Sequence, residues 1–326
     1  MNLLYIGSGP ISNFHIPTLL AAGFSIKRVA TTTNSDRCLR FCEKHHLVDA
    51  YEKAGYKHCI TNENFDCAVI AIDTKATPQV LQELLPLNIP IMIEKPGAWH
   101  PQQLINLTEL YPNYIDNVFV AYNRRYYEVV RRFKDFISNN KQGILKLSIP
   151  DSINSLRQLL VNGCHMLDLI NHLSPGIKIH YKKCIYDSSN NIISLVAAGE
   201  SSNEWQVLID SNPMSPDNFE ISASCNETLY KLRPIEILEV FNQMDIIPPT
   251  KEIPIRRYVP KSKGKFIENP DFKPGFLEQS KAFMSFCKDR DSPECHSRIQ
   301  DAIETLKLSH SLINDSNMTY NDYINL

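Results

Sequence analysis

The sequence predicts two domains of different class, an N-terminal α/β domain on a parallel sheet and a C-terminal α+β domain with a largely antiparallel open sheet. Three observations carry that prediction. The 326 residues exceed what one core of about 150 residues accommodates. Over residues 1–122, short apolar runs alternate with amphipathic stretches, the pattern of strands joined by crossover helices. From residue 144 onward, runs with a period of two follow one another with few helices between them, so those strands should pair antiparallel.

Taken in order, Leu3 to Ile6, Ile26 to Thr31, Cys67 to Ile72, Ile89 to Ile93 and Val118 to Tyr122 read as buried strands. Phe14 to Ala22, Ser35 to His46 and Pro78 to Leu85 show helical spacing, with Asn34 or Ser35 and Thr77 as N-caps. One long helix is expected over Arg124 to Ile137, ended by Ser138-Asn139-Asn140. Beyond it, Ile144 to Ile149, Lys178 to Tyr186, Ile192 to Ala198, Glu204 to Ile209, Phe219 to Ala223 and Thr228 to Leu232 read as strands. Helices are expected at Leu156 to Leu173, Phe276 to Lys288 and Ser297 to Ile313. Pro248 to Pro274, rich in Pro and Lys and without a clean period, reads as a long loop.

With 43% hydrophobic and 21% charged residues, the chain has a soluble globular composition. A net charge of -2, a pI near 6.6 and the absence of a basic cluster argue against nucleic acid as the main partner. No apolar run approaches the roughly 20 residues of a spanning helix, so no membrane partner is expected. Met1 to Ile6 carries no basic leader, and nine scattered cysteines suggest no disulfide framework, so a cytoplasmic location is expected. The acceptor patterns starting at Asn106, Asn226 and Asn317 carry little weight without an export signal.

The strand Leu3 to Ile6 runs into Gly7-Ser8-Gly9-Pro10-Ile11-Ser12 and then an apolar helix, the context that a dinucleotide-binding Rossmann turn requires. Gly7 would permit the tight turn, Gly9 would let the backbone approach a pyrophosphate, and the helix N-terminus would favour its charge. Ser12 stands where a third glycine is usual, a packing position that tolerates a small residue.

Farther along, Ile89-Pro-Ile-Met-Ile93 ends in Glu94-Lys95-Pro96, Val120 to Tyr126 forms a strand and an Arg-containing turn, and Gly163 to His172 carries Cys-His-Met-Leu-Asp. Together with the Phe276 to Ser316 helices, these motifs in this order resemble the Gfo/Idh/MocA family of NAD(P)-dependent oxidoreductases over nearly the whole chain. The resemblance implies a cofactor domain at 1–122 and a substrate and oligomerisation domain at 123–326. It also implies a cis Lys95-Pro96 peptide, contact of Lys95 with substrate hydroxyl and nicotinamide, and a catalytic pair Asp168 and His172, with His172 exchanging the hydroxyl proton. Lys95 has an independent argument: it follows a strand end, where α/β sheets place ligands, and burial there would suit its amine to proton handling.

At about 100° per residue, His165, Asp168 and His172 fall within about 60° on one helix face, beside an apolar arc of Met166, Leu169, Ile170 and Leu173. Acid/base chemistry and a metal site both suit such a stripe, and the first ranks higher because one helix face rarely completes a coordination sphere. Cys38, Cys42 and His45 or His46 share another helix face, where cysteines more often act as small apolar residues, and His15 reads as structural. No metal is therefore assigned.

The candidate cofactor set is Gly7, Ser8, Gly9, Pro10, Ile11, Thr31, Thr32, Arg37, Thr74, Glu94, Lys95 and Pro96, and the candidate substrate set is Lys95, Tyr122, Arg157, His165, Asp168 and His172. Arg124 and Arg125 read equally well as cleft residues and as salt-bridge partners. After the second strand, Thr31-Thr32-Thr33-Asn34 replaces the carboxylate that NAD enzymes offer to ribose, and Arg37 supplies a partner for a 2′-phosphate. NADP is favoured over NAD. The expected function is hydride transfer between that cofactor and a hydroxyl or keto carbon of a sugar, cyclitol or sugar nucleotide. A non-enzymatic NADP-binding regulator and a metal-dependent enzyme are the alternatives. One face of the second sheet should lack helical cover, so a homo-oligomer through that face is expected.

Overall fold

The computed structural model describes residues 1–151, 156–189, 191–269 and 271–313. Of these, 1–126 with 271–307 form one compact unit and 127–269 with 308–313 another.

In the first unit, β1 (Asn2–Ile6), β2 (Ser25–Ala30), β3 (Cys67–Ile70), β4 (Ile91–Glu94) and β5 (Val118–Ala121) pair in the order β2-β1-β3-β4-β5, all parallel. Every residue of β3 and β5 is buried, as expected of parallel strands covered on both faces. The crossovers are α1 (Ser12–Ala21), α2 (Asp36–Lys44), α3 (Tyr56–Asn62), α4 (Thr77–Leu84) and α5 (Pro101–Leu110). Ser35 caps α2 by accepting the Cys38 N–H at 3.2 Å. The expected Thr77 cap is corrected: Ala76 holds that position, and Thr77 is the first helical residue, its hydroxyl donating to the Asp73 carbonyl at 3.1 Å.

The expected helix over Arg124 to Ile137 is also corrected. Asn123–Tyr126 form a 3-10 turn, Tyr127 is extended, and α6 spans Glu128–Ser138. Arg125 accounts for the break: only 1% exposed, it pairs with Asp301 at 3.1 Å and donates to the His296 carbonyl, contacts that a continuous helix would not keep in place.

The second unit continues with β6 (Ile144–Ile149), α7 (Leu156–Gln158), a π-helical turn at Leu159–Gly163 and α8 (Cys164–Leu173). Then come β7 (Lys178–Tyr186), β8 (Ile192–Glu200), β9 (Gln206–Ser211), β10 (Glu220–Cys225), β11 (Thr228–Leu232), β12 (Ile237–Ile247) and β13 (Arg257–Ile267). They form one eight-stranded sheet, β13-β12-β11-β10-β6-β9-β8-β7, antiparallel except where β6 meets β9. The loop expected over Pro248 to Pro274 therefore contains a strand. Nearly every β13 side chain is at least partly exposed, so no burial period marks it; the ladder to β12, itself absent from the sequence reading, defines it.

Last come α9 (Phe276–Lys288) and α10 (Ile299–Leu312). Residues 271–307 thus return to the first unit, which the linear division at 122/123 does not include. Phe283 is fully buried, 5.5 Å from Phe24 and 5.6 Å from Phe119 by ring centroids, and Ser280 donates to Thr18 at 3.0 Å. Burying each such ring contributes about 1.5–3 kcal/mol, so α9 is an integral part of the first unit's core. Cys38 and Cys42 lie in that same core.

Candidate active site

The carboxyl ends of β2, β1 and β3 converge where the strand order reverses, the place at which open α/β sheets bind ligands. A cavity of about 680 Å³ opens there, lined by Gly7 to Ile11, Phe14, Thr31, Arg37, Ala71 to Asp73 and Lys273. Gly7 has φ 140°, and a Cβ on it would sit 2.1 Å from the Ala71 carbonyl oxygen, so the turn admits glycine alone. A Cβ on Gly9 would meet only the Arg37 guanidinium, at 3.5 Å, because that face is open to the cavity. Bare backbone and the positive end of α1 make a cradle suited to a dinucleotide pyrophosphate. The residues fit the cofactor that the glycine turn predicts.

Arg37 folds back over this turn, its Nε donating to the Ser8 carbonyl at 3.2 Å. Thr31 lines the cavity with it; Thr32 is exposed next to Thr31, and half-buried Thr74 follows Asp73 in the turn before α4. Lys95 is half-buried immediately after β4, and the Lys95-Pro96 peptide is cis, as the resemblance implied. Its neighbour Glu94 accepts from His15 Nε2 at 2.5 Å, and His15, fully buried in α1, also meets the Phe276 ring edge-on at 5.0 Å. The sequence does not disclose this pairing of His15, which was expected to be structural. Tyr122 is fully buried, while Arg124 is half-buried. Burial holds the Lys273 ammonium below its ordinary range, Arg124 and Lys95 push the same way, and Glu94 opposes them.

In the second unit, α8 carries the predicted stripe. Asp168 is 1% exposed and His165 and His172 are half-buried, whereas Met166, Leu169 and Ile170 are fully buried. Lys134 of α6 places its Nζ 3.1 Å from His172 Nε2. The same Nζ lies 3.5 Å from His172 Nδ1. Arg157 is exposed on α7. A π-helical turn directly before α8 is a feature that recurs at functional sites. Among the described residues, no three His, Cys, Asp or Glu side chains are grouped to hold a metal, and no helix is long and apolar enough to cross a membrane. An open groove of about 790 Å³ along Ser224 to Leu229 and Phe241 to Met244 contains none of the predicted residues.

Sequence reasoning missed Phe14, Asp73 and Lys273 in the cavity wall, and Lys134 beside His172. Phe14 opens a predicted helix and Asp73 follows a predicted strand, so both were within its reach. Lys273 lies in the stretch read as loop and Lys134 on a different helix, so no local signal marks either.

Residues 1–122 match the model of the Gfo/Idh/MocA oxidoreductase family's NAD-binding Rossmann fold. Comparison with curated proteins gave no match. Solved structures similar to this chain include a Gfo/Idh/MocA family oxidoreductase from Vibrio cholerae (TM-score 0.71, 15% identity, covering 98% of this chain and 100% of that one). A UDP-N-acetylglucosamine 3-dehydrogenase from Acidithiobacillus ferrooxidans gives TM-score 0.73 at 12% identity, covering 96% of each chain. A levoglucosan dehydrogenase in complex with NADH and levoglucosan gives TM-score 0.72 at 12% identity, covering 97% of each. With its glycine turn and all-parallel sheet, the segment 1–122 thus matches the NAD-binding Rossmann fold of the Gfo/Idh/MocA oxidoreductase family, and the chain as a whole shares the fold of these solved structures.

Proposed function

We propose that this protein is an NAD(P)-dependent dehydrogenase acting on a hydroxyl or keto carbon of a sugar, cyclitol or sugar nucleotide. The observation that carries the reading is the cavity at the glycine turn, where Gly7 is sterically obligatory and Gly9 leaves the backbone bare. The similar dehydrogenases of UDP-N-acetylglucosamine and levoglucosan support the substrate class. Bound nicotinamide would supply the two-electron exchange with the substrate carbon. The chain's own groups hold the substrate and move a proton. Lys95 Nζ donates to the substrate oxygen, His172 takes or returns the hydroxyl proton, and buried Asp168 orients the histidine one helical turn away. His165, Tyr122 and Arg157 complete the proposed substrate set, and Thr32, Thr74, Glu94 and Pro96 the proposed cofactor set. Turnover on one member of a panel of sugars, cyclitols and sugar nucleotides tests the reading; tight cofactor binding with no turnover on any of them would count against it.

NADP is the favoured cofactor, because Thr31 and Arg37 line the cavity at the end of β2 where NAD enzymes offer a carboxylate. Arg37→Ala should weaken NADPH binding about ten-fold while NADH changes less than about two-fold, by equilibrium titration. Tighter binding of NADH by the unmodified protein would reject a 2′-phosphate site.

A homo-oligomer is part of the same proposal. The register places Tyr181, Val196 and Leu208 on one face of neighbouring strands, all exposed, and such faces favour a second copy. Light scattering should give a dimer or larger; a monomer at working concentration would refute it. Nine free cysteines suit a reducing cytoplasm, a location that recovery from an exported fraction would contradict.

A further inference from the structure

The family match ends at residue 122, yet one side chain in the wall of the cofactor cavity comes from far beyond it, Lys273. Local structure fixes where this lysine stands. Pro274 follows it, and the Pro274 carbonyl accepts from the Asn123 side-chain amide at 3.1 Å. The Lys273 carbonyl accepts the Phe276 N–H at 3.2 Å across Gly275, whose φ of 76° closes the turn into α9. The Nζ lies 4.2 Å from the Phe14 ring centroid and 5.4 Å from that of Phe276. Two aromatic rings, one of them on the helix that begins at the glycine turn, thus hold the ammonium at the cavity.

Cationic groups gather around it: Lys95 and Arg124 repel Lys273 and Arg37 lines the same cavity, against the carboxylates of Asp73 in the lining and of Glu94, which attracts Lys273 and also accepts from His15. Like charges gathered around a cavity favour entry of an anion, which relieves their repulsion. The glycine turn lining the same cavity offers bare backbone and a helix N-terminus to that same anion.

We propose that Lys273 is a cofactor-phosphate residue, its ammonium donating to the dinucleotide pyrophosphate, so that the segment leading into α9 completes a site begun by the glycine turn. The inference rests on the nicotinamide-dinucleotide reading above. It assigns a role distinct from that of Arg37: the pyrophosphate is common to NADP and NAD, so Lys273 contributes affinity without choosing between them.

The test is equilibrium titration of the full chain with NADPH and with NADH, for the unmodified protein, Lys273→Met, Lys273→Arg and Lys281→Met. Lys281 is exposed on α9 and serves as a charge-matched control for that helix. Lys273→Met should weaken both cofactors about ten-fold with their affinity ratio unchanged, and its binding should become less sensitive to added salt. Lys273→Arg should stay within about three-fold of the unmodified protein, and Lys281→Met should match it. Melting temperatures within a few degrees of each other establish that all four are folded; if Lys273→Met is not, Lys273→Gln takes its place. Unchanged affinities in Lys273→Met would overturn the inference while leaving the dinucleotide reading intact. A loss for NADPH alone would overturn it by placing Lys273 on the 2′-phosphate. Failure of the unmodified protein to bind either cofactor would overturn the dinucleotide reading itself, and this inference with it.

Discussion

Lys95→Met and His172→Ala should each slow turnover by two or more orders of magnitude while cofactor binding survives. General acid/base groups contribute about 10²- to 10⁴-fold, and each substitution removes a group proposed to act on the transferring proton. Lys95 is half-buried at the end of β4, where its backbone is set by a sheet strand and the following Pro96. Met keeps an unbranched apolar stem of similar shape and lacks the ammonium, so the loss reports chemistry more than packing. For His172, half-buried on α8 with the Lys134 Nζ 3.1 Å from its Nε2, removal of the imidazole takes away the proposed proton-exchanging group. Steady-state rates on the true substrate, set beside NADPH and NADH titrations of each variant, separate catalysis from binding. Near-normal turnover in either variant would remove that residue from the mechanism.

Gly7→Ala and Gly9→Ala should fail in opposite ways although they stand two residues apart. A methyl on Gly7 meets a backbone carbonyl at 2.1 Å and sits at φ 140°, so neither side-chain motion nor a small backbone shift relieves it. Strain of that backbone class costs about 1–3 kcal/mol before the clash with Ala71 is added, and the expected destabilisation is about 3–5 kcal/mol. A methyl on Gly9 meets only the end of Arg37 at 3.5 Å, an ordinary contact. Its stability should therefore stay within about 1 kcal/mol of the unmodified protein, while the methyl occupies the space left for phosphate and cofactor affinity falls at least about ten-fold. Denaturant melts and cofactor titrations of the two variants measure both effects. A stable Gly7→Ala protein, or normal cofactor binding by Gly9→Ala, would contradict this account of the turn.

What could be read from the sequence follows the range of the physics involved. β1, the glycine turn and α1 are contiguous, so strand period, turn chemistry and helix spacing pointed directly to Gly7 to Ile11, and the next strand end to Thr31 and Arg37, all of which line one cavity. The α8 stripe was legible for the same reason: helical spacing alone puts His165, Asp168 and His172 on one face. The pairing of β12 with β13 was not, because exposed strands carry no burial period and are defined by ladder hydrogen bonds to each other. The break at Asn123–Tyr126 depends on Asp301 and on the His296 carbonyl, more than 170 residues away in sequence. Lys134 reaches His172 from another helix, and Lys273 reaches the cavity because buried Phe276 and Phe283 draw α9 back onto the first unit. Local pattern thus determined β1, α1 and the candidate cradle between them, because those depend on neighbours along the chain. Tertiary structure alone decided which distant charges face them, because burial of α9 and pairing of Arg125 are settled by packing between segments that no window of sequence contains together.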